Sequence, residues 1–145
     1  MSDHPKFAAL VVACIDGRLR NADGGLKARA GQLLEKKFLG SPVDHLAVAG
    51  ASVDLSFTFP KPEETELFRG IELAYKAHGI RRVVIIEHEN CGRYASAGIL
   101  DVATPEEEIH AHRSRTAEYF LKERFPELTF ERYYAKLNGM ITPLI

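Results

Sequence analysis

Seven consecutive apolar residues, from Phe7 through Ala13, stand near the start of the chain with no polar position between them. A run without alternation, rich in β-formers, reads as a strand covered on both faces. It stops at the polar stretch Cys14-Ile15-Asp16-Gly17-Arg18, and the cluster Asn21-Ala22-Asp23-Gly24-Gly25 is loop by composition. Over 26–39, Leu26, Ala30, Leu33, Leu34 and Phe38 recur at helical spacing with lysines between them, and Gly40 and Pro42 end the helix. A second short buried strand is predicted over 43–50, around Leu46-Ala47-Val48-Ala49. The segment 51–62, with Phe57, Phe59 and two prolines, reads as an exposed connection.

The stretch 63–78 opens with acidic residues, which suit the positive end of a helix. It carries Leu67, Ile71, Ala74, Tyr75 and His78 on one face and closes at Gly79. Residues 81–86 form a third strand, two arginines followed by an unbroken apolar run, and His88-Glu89-Asn90-Cys91-Gly92 lies just past its end. Thr104-Pro105-Glu106-Glu107-Glu108 has the form of an N-cap, a first-position proline and an acidic first turn. The helix it starts runs to about Arg124, with Ile109, Thr116, Ala117, Phe120, Leu121 and Phe125 facing inward. Residues 128–137 alternate as a strand, and Asn138-Gly139 is a hairpin turn leading into 140–145.

Strand and helix therefore alternate, which predicts an α/β fold: a mostly parallel, Rossmann-like central sheet of about four strands, flanked by helices, with a C-terminal hairpin arm. In such a sheet ligands sit outside the carboxyl ends of the strands. Both polar clusters lie at those ends. Neighbouring placement of the first and third strands would bring them together.

The chain of 145 residues is 46% hydrophobic and 27% charged, with a net charge of -1, the range of one globular domain spanning 1–145. So balanced a charge offers no field for nucleic acid or an anionic membrane, and no apolar run approaches the ~20 residues of a membrane span. The N-terminus lacks the basic region of a signal peptide, so a cytoplasmic protein is expected.

Each cysteine alone reads as a small core residue. Together, Cys14 and Cys91 fall at strand ends, with His88 three positions before the second. Two thiols and an imidazole make a three-ligand zinc set whose fourth position is left for water or substrate, the mark of a catalytic rather than a structural site. Thiolate is a soft ligand and selects zinc over magnesium or calcium. A disulfide or plain burial are the alternatives. Asp16 and Arg18, two apart on an extended segment, can form an ordinary ion pair. Beside a cation, the carboxylate can also orient a water or ligate the metal while the guanidinium holds it.

The remaining candidates carry less. His110 and His112 point to nearly opposite faces of their helix and read as surface or packing residues. His78 suits a helix C-terminus, Glu89 reads as a solvated loop charge, and His4 and His45 carry no signal. The glycines of 21–25 lack the spacing of a nucleotide-binding loop.

Cys14-x-Asp16-x-Arg18 followed by His88-x-x-Cys91-Gly92 resembles the paired C-x-D-x-R and H-x-x-C motifs of the β-class carbonic anhydrases. The similarity extends over most of the chain: 46–52 sits where that family has an Asn-Ala-Gly-Asn stretch, and 128–144 matches its closing strand and hairpin. The resemblance implies a zinc lyase, one Zn2+ per chain on Cys14, His88 and Cys91, that hydrates CO2 reversibly to bicarbonate with a zinc-bound hydroxide. Asp16 would orient that hydroxide or occupy the fourth position, Arg18 would anchor Asp16, and the chain would form a homodimer or higher homo-oligomer.

The chain also departs from the family. Gly17 replaces a serine, and the Asn-Ala-Gly-Asn stretch reads Val48-Ala49-Gly50-Ala51. Extra length falls around 21–32 and 57–62, and the N-terminal helical arm is almost absent. Two further readings are consistent with these departures: a zinc hydrolase of carbonyl sulfide or carbon disulfide, and a non-catalytic zinc-binding interaction module.

Overall fold

The structure is a computed structural model that describes residues 5–16, 19 and 26–145, and in the first helix the side chains from Ala30 on except Glu35. Arg18, Gly17, His4 and the 21–25 cluster lie outside the described residues. The strands are β1 (Leu10–Ala13), β2 (Asp44–Ala47), β3 (Arg82–His88), β4 (Thr129–Ala135) and β5 (Ile141–Pro143). The helices are α1 (Leu26–Phe38), α2 (Glu66–Ala77), α3 (Gly92–Ser96) and α4 (Glu106–Arg124).

These strands form one five-stranded sheet in the order β2-β1-β3-β4-β5. The first four are parallel and β5 returns antiparallel along β4. The expected α/β sheet and its closing hairpin are thus present, and β1 and β3 are neighbours, with Ala13 opposite Ile86.

Alternation along the two central strands separates the core into two layers. Leu10, Val12, Val83 and Ile85 face α2 and α4, packing with Leu67, Ile71, Ala117 and Leu121. Val11, Val84 and Ile86 face the other way, toward Ala30 and Phe38 of α1 and Tyr94 of α3. Burial on both sides is why these strands read as unbroken apolar runs.

Helix α2 begins where the Thr65 hydroxyl accepts a hydrogen bond from the Phe68 N–H at 3.1 Å, an N-cap that satisfies one orphan donor. Its start lies three residues later than the acidic pattern predicts, because Pro62–Glu64 forms a separate 3₁₀ turn. Helix α4 starts at Glu106 with Pro105 as its cap, so Thr104 is not the N-cap. Its buried stripe is His110, Ser114, Ala117 and Leu121, with Ile109 and Phe120 only partly covered. Hydropathy could not select that stripe, because two of its members are polar and buried only by virtue of their partners.

Two expectations are overturned. The segment after β2 is not an exposed connection: Ala51, Ser52, Val53 and Leu55 are each 2% exposed or less, and only from Thr58 on is the loop exposed, with Phe59 at 86%. The 3₁₀ turn Val53–Ser56 packs against α4, and Ser52 can be buried because Glu87 accepts its hydrogen bonds. Strand β2 is not buried either; it is the sheet edge, with His45 and Ala47 exposed.

On β4, Glu131 meets Lys37 of α1, Arg82 of β3 at 2.7 Å and the Tyr133 hydroxyl, which donates to it at 2.7 Å. Burial opposes its charge, but Lys37, Tyr133 and Arg82 outweigh burial and hold its carboxyl at about 2. A carboxylate depressed in the folded state stabilises above its unfolded value, and that contribution disappears as pH falls through the folded one. Urea unfolding between pH ~4.5 and ~2 should therefore show a loss of stability that Glu131→Gln removes. An equal acid dependence in both proteins would contradict this role.

Candidate metal centre

The parallel register sets the site. Ala13 pairs with Ile86, so Cys14, one step past the end of β1, stands beside the last residues of β3. His88 is the final residue of β3, and alternation turns Glu87 toward α4 and His88 toward the opposite layer. Cys91 follows as the N-cap of α3. The three side chains are buried, and their ligand atoms all lie within 4.8 Å of one another, a group that can hold a metal ion. No disulfide joins Cys14 and Cys91.

The donor set is prepared for a cation. His88 Nδ1 lies 2.8 Å from the Glu89 carbonyl oxygen, so Nδ1–H donates there and Nε2 faces the thiols. That Nε2 is buried and makes no hydrogen bond. A buried polar atom without a partner is costly, and a metal ion would satisfy it.

The thiols divide their protons unequally. The neighbouring Cys91 thiol holds Cys14 far below the ordinary thiol range; burial opposes this, and His88 with the N–H groups of Gly50 and Asp16 reinforces it. Cys91 is pushed up, first by Cys14 and then by burial. Burial disfavours a charged His88, yet Cys14 and the Glu89 carbonyl outweigh it and raise the imidazole. A thiol pushed down beside a thiol and an imidazole pushed up is a cluster whose protons a divalent cation could displace.

Gly50 contributes through its backbone. Its N–H donates to Cys14 Sγ at 3.4 Å. It sits at φ +79°, and a Cβ there would come within 2.5 Å of Val53 Cγ1 and 2.7 Å of Arg93 Cγ, so only glycine lets the chain turn so close to the thiol.

Asp16 Oδ2 lies 3.7 Å from His88 Nε2, on the more open side of the cluster. The structure thus brings Cys14, Asp16, His88 and Cys91 together, while Arg18 is outside the described residues. His112 is exposed, as the opposite-face reading requires, and His110 is completely buried. Glu89 is less free than a solvated loop charge: its carboxylate accepts from the Leu137 N–H at 2.8 Å.

Sequence reasoning missed a second polar cluster behind the ligands. Glu87 is 1% exposed, and its Oε1 accepts from the Tyr94 hydroxyl at 2.7 Å and lies 2.8 Å from His110 Nδ1. Its Oε2 accepts from the Ser52 hydroxyl at 2.9 Å and the Ser52 N–H at 3.3 Å. One signal was available: a glutamate next to a candidate ligand, continuing a buried apolar strand, needs interior partners.

The fold and the site define a class: a parallel α/β sheet with a Cys-His-Cys cluster at its carboxyl ends, the fold of the β-carbonic anhydrases. A carbonic anhydrase from Glaciozyma antarctica aligns over 99% of this chain and 85% of its own, with a TM-score of 0.60 at 16% identity. The apo form of a carbon disulfide hydrolase aligns over 97% of this chain and 80% of its own, with a TM-score of 0.54 at 14% identity. In sequence, an uncharacterized protein of Rickettsia conorii is 29% identical over 142 residues, 92% of this chain and 70% of that protein. The family model described as "Putative carbonic anhydrase" matches residues 4–144. The chain belongs to this family and shares the fold of the β-carbonic anhydrases. Among the described residues no helix is long and apolar enough to cross a membrane.

Proposed function

We propose that this chain is a zinc-dependent lyase that hydrates CO2 reversibly to bicarbonate, with Cys14, His88 and Cys91 as the metal ligands. The observation that carries the reading is the buried His88 Nε2, without a hydrogen bond and grouped with two thiols, with the Asp16 carboxylate 3.7 Å away. When bound, zinc supplies the Lewis acidity that brings the ionisation of water toward ~7, so that hydroxide is available to attack the carbon of CO2.

The chain's own residues do the rest. Cys14 and Cys91 as thiolates and His88 as neutral imidazole would hold the cation, and the Glu89 carbonyl fixes the His88 ring so that Nε2 points inward. Asp16 accepts a hydrogen bond from the reacting water and keeps its lone pair directed at the substrate. Arg18 is assigned to hold Asp16. The family resemblance further suggests assembly as a homo-oligomer.

Stopped-flow CO2 hydration at mildly alkaline pH, on protein of measured zinc content, tests this reading. A zinc-dependent rate above buffer is expected, and Asp16→Asn should keep the zinc while lowering that rate by ~10²-fold or more. Fully zinc-loaded protein with no rate would overturn the assignment.

A second substrate class, carbonyl sulfide or carbon disulfide, is supported by the structural likeness to a carbon disulfide hydrolase. A cavity of about 430 Å³ between α1 and strands β1 and β2 is lined by Val11, Ala13, Leu19, Leu34 and Ile86 among others, and is mostly apolar. None of Cys14, His88 and Cys91 lines this cavity, so it does not choose between these substrates and CO2, and the same protein is assayed on all three.

A further inference from the structure

Glu106 opens α4, where an acidic residue is ordinarily explained by the helix dipole. Its carboxylate, however, is turned onto another loop. Oε1 accepts from the Asn90 N–H at 3.1 Å, and Oε2 accepts from the Cys91 N–H at 3.2 Å. Oε2 also lies 3.0 Å from His110 Nε2, and the other nitrogen of that buried ring lies 2.8 Å from Glu87 Oε1. The His110 ring is packed against Tyr94, tilted by 30° with centroids 3.7 Å apart. A path of polar contacts therefore leaves β3 at Glu87, beside ligand His88, crosses α4 through His110 and Glu106, and returns to the backbone of ligand Cys91.

The loop so gripped is a tight turn. Asn90 sits at φ +61°, a left-handed conformation that asparagine adopts more readily than most residues. On its other side β4 holds the same turn: the Glu89 N–H donates to the Ala135 carbonyl at 2.9 Å and the Leu137 N–H donates to the Glu89 carboxylate at 2.8 Å. The 89–91 turn is clamped between β4 and α4, and its conformation decides where Cys91 Sγ stands relative to Cys14 and His88.

We propose that Glu106, braced by His110 and Glu87, is a positioning residue of the metal centre: its two backbone hydrogen bonds hold the 89–91 turn in the conformation that keeps Cys91 at ligating distance. This rests on the metal reading given above, and it makes α4, which supplies no ligand, part of the metal site. Groups that orient ligands from behind change metal affinity by about 10- to 100-fold when removed. A glutamate acting only through the helix dipole would leave metal affinity alone.

The test uses the full chain as wild type, Glu106→Ala, Glu106→Gln and, as a control in the same helical turn, the exposed Glu108→Gln. Zinc affinity is measured by chelator competition, and the absorption spectrum of the cobalt(II)-substituted protein reports ligand geometry. Glu106→Ala should weaken zinc by about 10- to 100-fold and alter the cobalt bands. Glu106→Gln, which keeps one acceptor, should fall between it and wild type and carries the test if the alanine variant does not fold. Glu108→Gln should match wild type. Folded Glu106 variants that bind zinc within about twofold of wild type, with the same cobalt spectrum, would overturn the proposal. Because the readout is affinity, a wild type that binds zinc but hydrates no CO2 removes the lyase reading and leaves this one standing, whereas a wild type that binds no zinc removes both.

Discussion

Cys91→Ser is expected to cost the protein its zinc and, with it, any hydration of CO2. Serine preserves the size of the side chain and its place at the start of α3, so the substitution removes a ligand and little else. Zinc held by four ligands binds with ~10–16 kcal/mol, or roughly 3 kcal/mol per ligand, so losing one thiolate weakens binding by ~100-fold or more. The remaining donors cannot compensate. Cys14 and His88 are both buried and fixed in position, one by the Gly50 N–H and the other by the Glu89 carbonyl. Metal analysis after dialysis against a weak chelator checks this: wild type should retain about one zinc per chain and the variant far less. Equal retention would exclude Cys91 from the ligand set. Cys91 would then be the buried core residue that a lone cysteine most often is.

His110→Phe should produce a large loss of stability without removing a ligand residue. The ring lies between Tyr94 and Tyr134, with a carboxylate oxygen at each nitrogen, 2.8 Å to Glu87 and 3.0 Å to Glu106. Phenylalanine keeps the ring and its packing but breaks both contacts, leaving Glu87 facing an apolar edge in the core. Removing one partner of a buried ionisable pair costs about 3–5 kcal/mol. Against the ~5–15 kcal/mol that stabilises an ordinary domain, this is a drop in Tm of roughly 10 °C or more. Combining His110→Phe with Glu87→Gln should be less damaging than the sum of the two, because the second change removes the stranded carboxylate. Additive losses, or a Tm within about 2 °C of wild type for His110→Phe, would show that the two groups do not depend on each other.

Much of the site was legible in the sequence because its determinants are local. Cys14 and His88 follow or end unbroken apolar runs, and such runs are long enough only for strands buried on both faces. The alternation of strands and helices then requires parallel pairing, which puts both clusters at one end of the sheet. The cluster behind the ligands was not legible. Glu87, Ser52, His110 and Glu106 lie far apart in the chain, and each has an ordinary explanation when read alone: strand end, loop serine, helix histidine, acidic first turn. Hydropathy assigns such residues to the surface.

By itself, the sequence determined the Cys-His-Cys candidate set, the strand ends that carry it and the α/β order of the chain, since side-chain chemistry and the periodicity of burial are written residue by residue. Only the tertiary structure decided that β2 lies at the edge, that 51–53 and Leu55 are buried and that α4 reaches behind Cys91. These depend on which surfaces meet, and a polar group can enter the core only when its hydrogen-bonding partner, distant in sequence, arrives at the same place.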